Sequence, residues 1–415
     1  MRPHPEIRLW GEQLMSPTFD LSDPTIWEDG FPHSLFAQIR SEAPVFLHEV
    51  TPRVRAYVDR PFWICATHEH VRRIHRDTDS FTATDGPLIQ SIDTFSSQPS
   101  IIVMDPPELT SRRNVLSRAF TPRAVAKLEA AIKDRAARYL DELLEAGEGD
   151  WVTDVAHRLP MNVIGDIVGI PEEDREQVFT WVDAVLHESG NDAPFVETYQ
   201  YAAELTRRKR EHPTDDIWSA LCNTSYAERD GSTFQFEENE LEVFFFILSL
   251  AGSDTTRTSL TVGLQAFIDH PDQLLRYRED PDVRTNAVEE AIRWASPLTY
   301  WVRGARRDLE MGGAQIRQGD RVVSVLASAN HDEDIFEDPF EFDISRAPNP
   351  HVGFGGGGAH HCLGAMLARA EMRVAFDEVL LRTKDIQLGP AVTTHPSLFH
   401  NMAVHHSLPI TLEAK

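Results

Sequence analysis

A run of glycines ends at a cysteine near the C-terminal end of the chain. Residues 351–364 are HVGFGGGGAHHCLG, with four successive glycines shortly before Cys362. Successive glycines adopt backbone conformations closed to other residues and let a planar partner approach closely. We expect a helix from about Leu363 to Thr383, so Cys362 lies at its start, where free N–H groups stabilise a thiolate. Such a thiolate is a strong axial ligand for a heme iron.

Three other interpretations of this segment stay open if it is taken alone. The glycines could hold a phosphate, but no Gly-Lys-Ser/Thr follows them. His360, His361 and Cys362 could bind zinc, but adjacent residues cannot all face one tetrahedral ion, and the chain has no Cys-x-x-Cys. A buried, inert role is the commonest fate of a single cysteine.

A polar motif interrupts the longest predicted helix, Asn239–Asp269. The motif, AGSDTT at 251–256, follows the apolar run Phe244–Leu248. A polar break in a surface helix is the simpler interpretation. The flank is apolar on every side, however, so we expect this helix to be buried.

The residue types in this motif suit proton transfer. Gly252 costs about 1 kcal/mol relative to alanine inside a helix, so its presence needs a reason. Thr255 can donate a hydrogen bond to the carbonyl of Ala251 and loosen the helix, which would open a groove for O₂ and water. Asp254 and Thr255, an adjacent acid and alcohol, could then transfer protons during oxygen activation.

Composition and charge argue against several other classes of protein. The formal net charge of −26 argues against a nucleic-acid partner. The most apolar stretch, Val243–Ala251, is shorter than the roughly 20 residues that span a bilayer, so no membrane span is expected. The first residues have no apolar segment typical of a signal peptide, so none is expected, and the three cysteines are widely separated. We therefore expect a soluble, cytoplasmic protein.

The remaining pattern predicts a mainly helical protein with a smaller β portion. Helices are expected over 107–146, with a turn at Thr121-Pro122, and over about 280–295. Short strands are expected at Glu310–Ile316 and Arg321–Leu326. No repeat or Gly/Ser linker divides the chain, so one domain is expected over 1–415. It would have a tail at about 1–20 and β-rich parts mainly at 45–70, 298–327 and 385–415.

Taken together, these motifs resemble the cytochrome P450 family from about Trp27 to near the C-terminus. The segment Phe354–Gly364 resembles the heme-binding loop of that family, and 251–256 resembles its oxygen-activation site. The aromatic residue lies eight residues before Cys362, where the family usually has seven. The extra glycine resembles a variant in bacterial members that hydroxylate sterols and lipids.

The resemblance implies a cytochrome P450 fold, with heme b buried between two long helices and Cys362 as the axial thiolate. It also implies cationic partners for the heme propionates, since arginine matches a carboxylate well. The family position for a histidine before Arg113 holds Leu109 here. The implied heme contacts are His360, Arg113, Arg303, Phe354, Gly355, Gly358 and Gly364.

Glu290 and Arg293 are three residues apart on one predicted helix, so they share a face. Alone, such a pair is usually a solvated salt bridge worth under about 1 kcal/mol. The resemblance implies a buried triad with Arg346 that serves folding.

The implied activity is insertion of one oxygen atom of O₂ into a C–H bond, with protons passing through Asp254 and Thr255. Electrons would come from NAD(P)H through a ferredoxin and its reductase, and the protein would be a monomer. A peroxide-driven peroxygenase and a non-enzymatic heme sensor or carrier are the alternatives. A basic surface would steer an acidic redox partner, unless these residues are only a solvated helix face. Its residues are Arg112, Arg113, Arg118, Arg123, Lys127, Lys133, Arg135, Arg138, Arg369 and Arg373.

Bulky apolar residues predict a hydrophobic substrate such as a sterol, a terpenoid or a branched lipid. Expected pocket walls include the irregular stretch 85–103 and helices over 175–205. The individual residues expected there are Phe245, Leu248, Ala251, Thr299, Trp301, Leu398 and Phe399.

Overall fold

The computed structural model describes residues 20–58, 60–90, 100–187, 193–227 and 231–415. The predicted tail at about 1–20 therefore lies almost wholly outside the described residues. So does 91–99, the larger part of the stretch expected to be irregular.

Helices make up most of the described chain, as the sequence predicts. They are α1 (His33–Glu42), α2 (His68–Arg76), α3 (Glu108–Leu116), α4 (Pro122–Ala146), α5 (Arg158–Val168), α6 (Glu172–His187), α7 (Ala193–Glu211), α8 (Ile217–Asn223), α9 (Glu238–Asp269), α10 (Pro271–Glu279), α11 (Arg284–Ala295), α12 (Leu326–Ala329) and α13 (Ala365–Arg382).

Strands are fewer and short. They are β1 (Val45–His48), β2 (Phe62–Cys65), β3 (Phe81–Thr82), β4 (Glu148–Asp150), β5 (Tyr226–Ala227), β6 (Thr233–Phe234), β7 (Trp301–Ala305), β8 (Leu309–Met311), β9 (Ala314–Ile316), β10 (Arg321–Ser324), β11 (Thr383–Leu388), β12 (Val392–Thr394), β13 (Val404–Ser407) and β14 (Pro409–Ala414).

Two strand predictions need correction. The single strand expected over Glu310–Ile316 is a hairpin, because Gly312 and Gly313 both have positive φ and turn the chain between β8 and β9. The strand expected to reach Leu326 ends at Ser324, where α12 follows. The β-rich parts otherwise lie where the sequence predicts, although β3 to β6 were not anticipated.

Helix α4 shows how local sequence sets the bounds of an element. Thr121 caps its N-terminus by accepting a hydrogen bond from the Ala124 N–H at 3.2 Å, and Pro122 occupies the first turn. Gly147 ends it in the left-handed conformation, at a φ of 74°. The division that Thr121-Pro122 predicts is therefore present.

Contacts divide the chain into two compact units. The first contains residues 1–96, 261–362 and 390–406, and the second contains 97–260, 363–389 and 407–415. Each unit combines separate segments of the chain. This division does not test the prediction of one domain over 1–415, which stays a prediction.

The first unit contains a five-stranded mixed sheet with the order β1-β2-β10-β7-β3. Strands β10 and β2 are parallel, and the other pairs are antiparallel. One side of the sheet packs into a core that includes Phe36, Ile64 and Val302. Helices α2 and α12 pack against each other, and α2 also contacts β10. Arg76 of α2 donates to the Gly356 carbonyl at 3.0 Å, so α2 lies beside the loop that carries Cys362.

In the second unit α4 packs against α13, α6 packs against α7, and β11, β14 and β4 form an antiparallel sheet. The run Phe244–Leu248 of α9 is buried, which confirms the prediction from its apolar flank. Among the described helices, none has both the length and the apolar character that crossing a bilayer requires.

Candidate functional site

Cys362 lies at the end of a loop that folds back on itself. Its N–H donates to the Phe354 carbonyl at 3.0 Å, and the His361 N–H donates to the Gly358 carbonyl at 3.2 Å. The cysteine is solvent-exposed. Helix α13 begins at Ala365, two residues later than predicted, because Gly364 occupies its N-cap. Cys362 therefore precedes the helix by three residues.

Glycines of the loop are required by close packing against α2. A Cβ on Gly358 would lie 2.4 Å from the His75 carbonyl oxygen, and one on Gly356 would lie 3.0 Å from the Arg72 Cα. Gly355, Gly357 and Gly358 also have positive φ values. From the sequence, these glycines are expected to allow the close approach of a planar partner. In the structure, two of them are required by the approach of a helix.

His75 of α2 is a buried residue of this region that the sequence did not indicate. Its Nε2 lies 3.0 Å from Ser324 Oγ, whose hydroxyl donates to the Trp301 carbonyl at 2.8 Å. That hydroxyl proton is already engaged, so Nε2–H is the donor. Burial, reinforced by the nearby charges of Arg303 and His360, holds the pKa of His75 well below its usual value. The imidazole is therefore neutral.

Asn330 anchors the start of the cysteine loop. Its Oδ1 accepts from the Val352 N–H at 2.7 Å, and its Nδ2 donates to Ser296 Oγ at 2.9 Å. Asn330 has no exposed surface. No local sequence pattern indicates this residue, because its partners are 22 and 34 positions away.

The predicted triad is present. Arg293 donates to both carboxylate oxygens of Glu290 at 2.7 and 2.8 Å, and Arg346 Nε lies 3.2 Å from the same carboxylate. Arg293 also donates to the carbonyls of Asn330 and Pro339. The arginine therefore fixes backbone from two segments of the first unit.

The polar motif of α9 has the hydrogen bond expected from its sequence. Thr255 Oγ1 donates to the Ala251 carbonyl at 2.9 Å. Asp254 is buried and forms an ion pair with Arg257. A Cβ on Gly252 would lie 2.7 Å from the Ile164 side chain, so this glycine is explained by contact with α5. A role for Asp254 and Thr255 in proton transfer stays a prediction.

The residues expected to line a substrate pocket belong to both units. In the second unit, Phe245 is fully buried among aromatic rings, with centroids 5.6 Å from Trp218 and 5.9 Å from Tyr201. Leu248 is buried as well. In the first unit, Thr299 and Leu398 are buried, and Trp301 is half-buried. That these residues line one pocket stays a prediction.

The remaining residues predicted to contact the heme also belong to both units. Arg303 lies on β7 and is only 4% exposed, whereas Phe354, Gly355 and His360 are half-buried and Gly358 is exposed. In the second unit, Arg113 and Gly364 are half-buried, and Leu109 is fully buried.

The first unit has a donor set that fits a heme. Cys362 offers an exposed sulfur outside any disulfide, and Arg303 supplies a buried guanidinium, the group best suited to a carboxylate. No cluster of histidine, cysteine and acidic side chains suited to a metal ion occurs among the described residues. The zinc interpretation therefore has no support in the described part of the chain.

Comparison with known proteins gives a consistent result. A family model described as Cytochrome P450 matches residues 195–414. The steroid C26-monooxygenase of Rhodococcus jostii (strain RHA1) is 37% identical, over 89% of this chain and 79% of that protein. The methyl-branched lipid omega-hydroxylase of Mycobacterium tuberculosis (strain CDC 1551 / Oshkosh) is 36% identical, over 99% of this chain and 96% of that protein.

Solved structures agree with this result. A Mycobacterium marinum cytochrome P450 in complex with pseudoionone has a TM-score of 0.86 at 38% identity, covering 95% of this chain and 99% of that one. A Bacillus megaterium cytochrome P450 in complex with testosterone has a TM-score of 0.78 at 28% identity, covering 92% of this chain and 99% of that one.

Proposed function

The chain belongs to the cytochrome P450 family and is a monooxygenase, and we propose that it hydroxylates steroids or methyl-branched lipids. The observation that carries the proposal is the likeness to the steroid C26-monooxygenase and to the methyl-branched lipid omega-hydroxylase, which both extend over most of this chain. The two names share a chemistry, since C26 of a steroid side chain and the omega carbon of a lipid are both chain ends. We therefore propose oxidation at a terminal methyl carbon of a branched aliphatic chain.

Buried aromatic and aliphatic residues support a hydrophobic substrate. Phe245, Leu248 and Leu398 are each less than a tenth exposed and carry no polar group that would need a partner. Apolar walls with a few polar groups are typical of sites for such ligands.

We propose that Cys362 holds the heme iron as a thiolate, and that Arg303, Arg113 and His360 hold the heme propionates. A heme bound through a thiolate supplies the cleavage of the O–O bond. One oxygen atom of O₂ enters the C–H bond and the other leaves as water, with two electrons and two protons consumed. Asp254 supplies protons to the site, and Thr255 positions them through its hydroxyl.

We propose that the electrons come from NAD(P)H through a ferredoxin and its reductase. Exposed cations on and beside α4 support an acidic partner. They concentrate positive charge on a chain that is strongly negative elsewhere, so an acidic protein would be attracted to this surface. Three members of the predicted basic surface are engaged elsewhere, since Arg112 pairs with Glu240, Arg135 with Asp166 and Arg373 with Asp377. The exposed members are Arg118, Arg123, Lys127, Lys133 and Arg138.

The test is a substrate panel on the heme-loaded protein. Steroids with an intact side chain, methyl-branched fatty acids, straight-chain fatty acids and small aromatic compounds are compared by the spin-state change of the heme spectrum. Products are then identified with ferredoxin, reductase and NADPH. The proposal predicts a response to steroids or branched lipids and a product oxidised at a terminal methyl. A response confined to small aromatics contradicts it.

A parallel reaction with hydrogen peroxide separates the monooxygenase from a peroxygenase. If peroxide alone gives the same rate and product as the complete electron chain, the electron route proposed above is wrong. If the protein binds carbon monoxide but oxidises no member of the panel, a heme sensor or carrier becomes the better interpretation.

A further inference from the structure

Glu289 and Glu290 are adjacent on α11 but have separate partners. Glu290 belongs to the buried triad, whereas the Glu289 carboxylate lies 3.0 Å from His351 Nε2. The side chains of His351 and Glu289 are 3% and 21% exposed. Neighbouring residues on a helix point in different directions, so the two glutamates can hold different segments. Through Glu289, α11 therefore reaches the start of the cysteine loop.

His351 uses its other ring nitrogen inside the loop. The Gly353 N–H donates to His351 Nδ1 at 3.1 Å. A ring nitrogen that accepts a hydrogen bond carries no proton, so Nε2 carries the proton of a neutral imidazole and donates to Glu289. The carboxylate thereby fixes both the tautomer and the orientation of the ring.

Gly353 leads directly to the hydrogen-bond partner of Cys362. The next residue is Phe354, whose carbonyl accepts from the Cys362 N–H at 3.0 Å. The Phe354 ring also lies beside two imidazoles, with centroids 5.7 Å from His351 and 6.3 Å from His361. His361 directly precedes Cys362 in the chain. A displacement of the His351 ring would therefore reach the cysteine through the backbone and through these rings.

We propose that Glu289 and His351 are positioning residues for the sulfur of Cys362. Glu289 orients the His351 ring, the ring fixes the backbone at Gly353, and the Phe354 carbonyl then holds the Cys362 N–H. The pair thereby sets the position of the sulfur toward the heme. This inference rests on the proposed function, since it assumes that Cys362 holds the heme iron.

The alternative is that the pair serves folding alone. Loss of a purely structural contact lowers stability, but it leaves the reduction potential of the folded, heme-loaded protein unchanged. It also leaves the hydrogen exchange of the cysteine loop unchanged relative to the rest of the first unit. The potential of a heme depends on its axial ligand and on the hydrogen bonds around that ligand, so it separates the two cases.

Four variants remove the contacts of the pair one at a time. Glu289→Gln keeps an acceptor for the Nε2–H, and Glu289→Ala removes it. His351→Asn keeps a short side chain that can accept from the N–H two residues later, and His351→Phe removes both contacts. The control is His270→Gln, since His270 is a half-buried histidine of the same unit that lies 2.8 Å from the Ala266 carbonyl.

The first test measures the loop without turnover. Amide hydrogen exchange of the heme-loaded protein is followed by mass spectrometry in peptides that cover 353–362, with peptides from β2 and β10 as the internal reference. Exchange of the loop should be about ten-fold faster in His351→Phe, the effect of losing one hydrogen bond. It should rise less in Glu289→Ala and in His351→Asn, and stay at the wild-type rate in Glu289→Gln and in the control. Equal loop exchange in all variants overturns the proposal.

The second test measures the sulfur as a ligand. The reduction potential should rise in His351→Phe and, to a smaller extent, in Glu289→Ala, because a displaced thiolate donates less to the iron. The share of the ferrous carbon monoxide complex with the thiolate-type absorption band should fall in the same order. Glu289→Gln should restore both values. If His351→Phe fails to fold, the partly exposed Glu289 decides, and the same potential and loop exchange in Glu289→Ala and Glu289→Gln contradict the inference.

The two proposals fail in different ways. If iodoacetamide modifies Cys362 equally with and without heme, the proposed ligation is wrong, and hydrogen exchange still reports whether the pair holds the loop. If heme protects Cys362 but the Glu289 and His351 variants match the wild type in exchange and in potential, only the positioning role is wrong.

Discussion

Glu290 and Arg293 form a bidentate ion pair in which neither side chain has any exposed surface. The sequence places both on one face of a helix, where such a pair is usually solvated. Burial changes the energetics, because loss of one partner leaves an uncompensated charge in the interior.

Replacement of Arg293 by alanine should destabilise the protein by about 3–5 kcal/mol, the cost of breaking a buried pair. Unfolding in urea, followed by circular dichroism, measures the change. The control is Arg317→Ala, whose pair with Asp308 is exposed on both sides and should matter little. Arg293→Lys should fall between them. Equal stability of the Arg293 and Arg317 variants would show that the buried pair is not a folding element.

Gly313 and Gly358 have nearly the same φ, so a comparison of their alanine variants separates the cost of backbone strain from the cost of close packing. Gly313, at φ 78°, has nothing within 4 Å of its Cβ position, whereas Gly358, at φ 79°, faces the His75 carbonyl. Gly313→Ala should cost about 1–2 kcal/mol from strain, and Gly358→Ala about 3 kcal/mol or more, because α2 must also move. Thermal unfolding and heme content measure both. Similar losses in the two variants would remove the packing explanation.

The three cysteines should differ in reactivity toward iodoacetamide. Cys362 is exposed, whereas burial raises the pKa of Cys222 to about 11 and raises that of Cys65 further still. In heme-free protein, we expect alkylation at Cys362 first, little at Cys222 and none at Cys65. Heme should protect Cys362 alone. Peptide mass spectrometry gives the order, and alkylation of Cys362 that heme leaves unchanged would contradict ligation by this residue.

Glu371 on α13 makes stability depend on pH. Burial raises its pKa from 4.5 to about 8. Between these values the folded protein holds a proton that the unfolded chain has released. The contribution of Glu371 to the free energy of unfolding should therefore fall as pH rises, by about 1.4 kcal/mol per unit, and level off above pH 8.

The substitution Glu371→Gln should remove this dependence and make the protein more stable than the wild type at pH 8. Urea unfolding at pH 5.5 and pH 8 provides the comparison, with Glu129→Gln on the exposed face of α4 as the control. A wild-type slope in Glu371→Gln would show that this carboxyl does not titrate as described.

Thr255 and Ser259 offer a matched pair on α9, since each hydroxyl donates to the carbonyl four residues before it, at 2.9 and 2.8 Å. Thr255→Ala should lower the ratio of oxidised product to hydrogen peroxide by about ten-fold or more, because a positioned proton donor is lost. Ser259→Ala should keep the wild-type ratio. Product and peroxide are measured against NADPH consumed, and equal ratios in the two variants would exclude a special role for Thr255.

Local patterns were sufficient to predict the family, the enzyme class and the mainly helical fold, and all three predictions are confirmed. The bounds of α4 and α9 could be predicted because capping residues, prolines and apolar runs act over a few positions. The Glu290, Arg293 and Arg346 triad required the family resemblance, since spacing alone favours a solvated pair.

Residues that act across the fold could not be predicted. His75 and Asn330 are ordinary in sequence and gain their roles from partners dozens of positions away. The glycines before Cys362 were noticed, but the helix that requires them could not be seen in a linear pattern. The hairpin at Gly312-Gly313 was missed because alternation was given more weight than paired glycines.

Asn330 has a consequence for how variants of this protein should be judged. Its carbonyl accepts from Arg293, and its side chain holds the cysteine loop through Val352. Damage to the interior ion pair can thus reach the proposed heme ligand through one residue. Heme content then becomes an assay of folding quality as well as of cofactor binding. In a library screened by colour, pale clones would include misfolded chains alongside altered heme sites, and only a separate stability measurement would sort them.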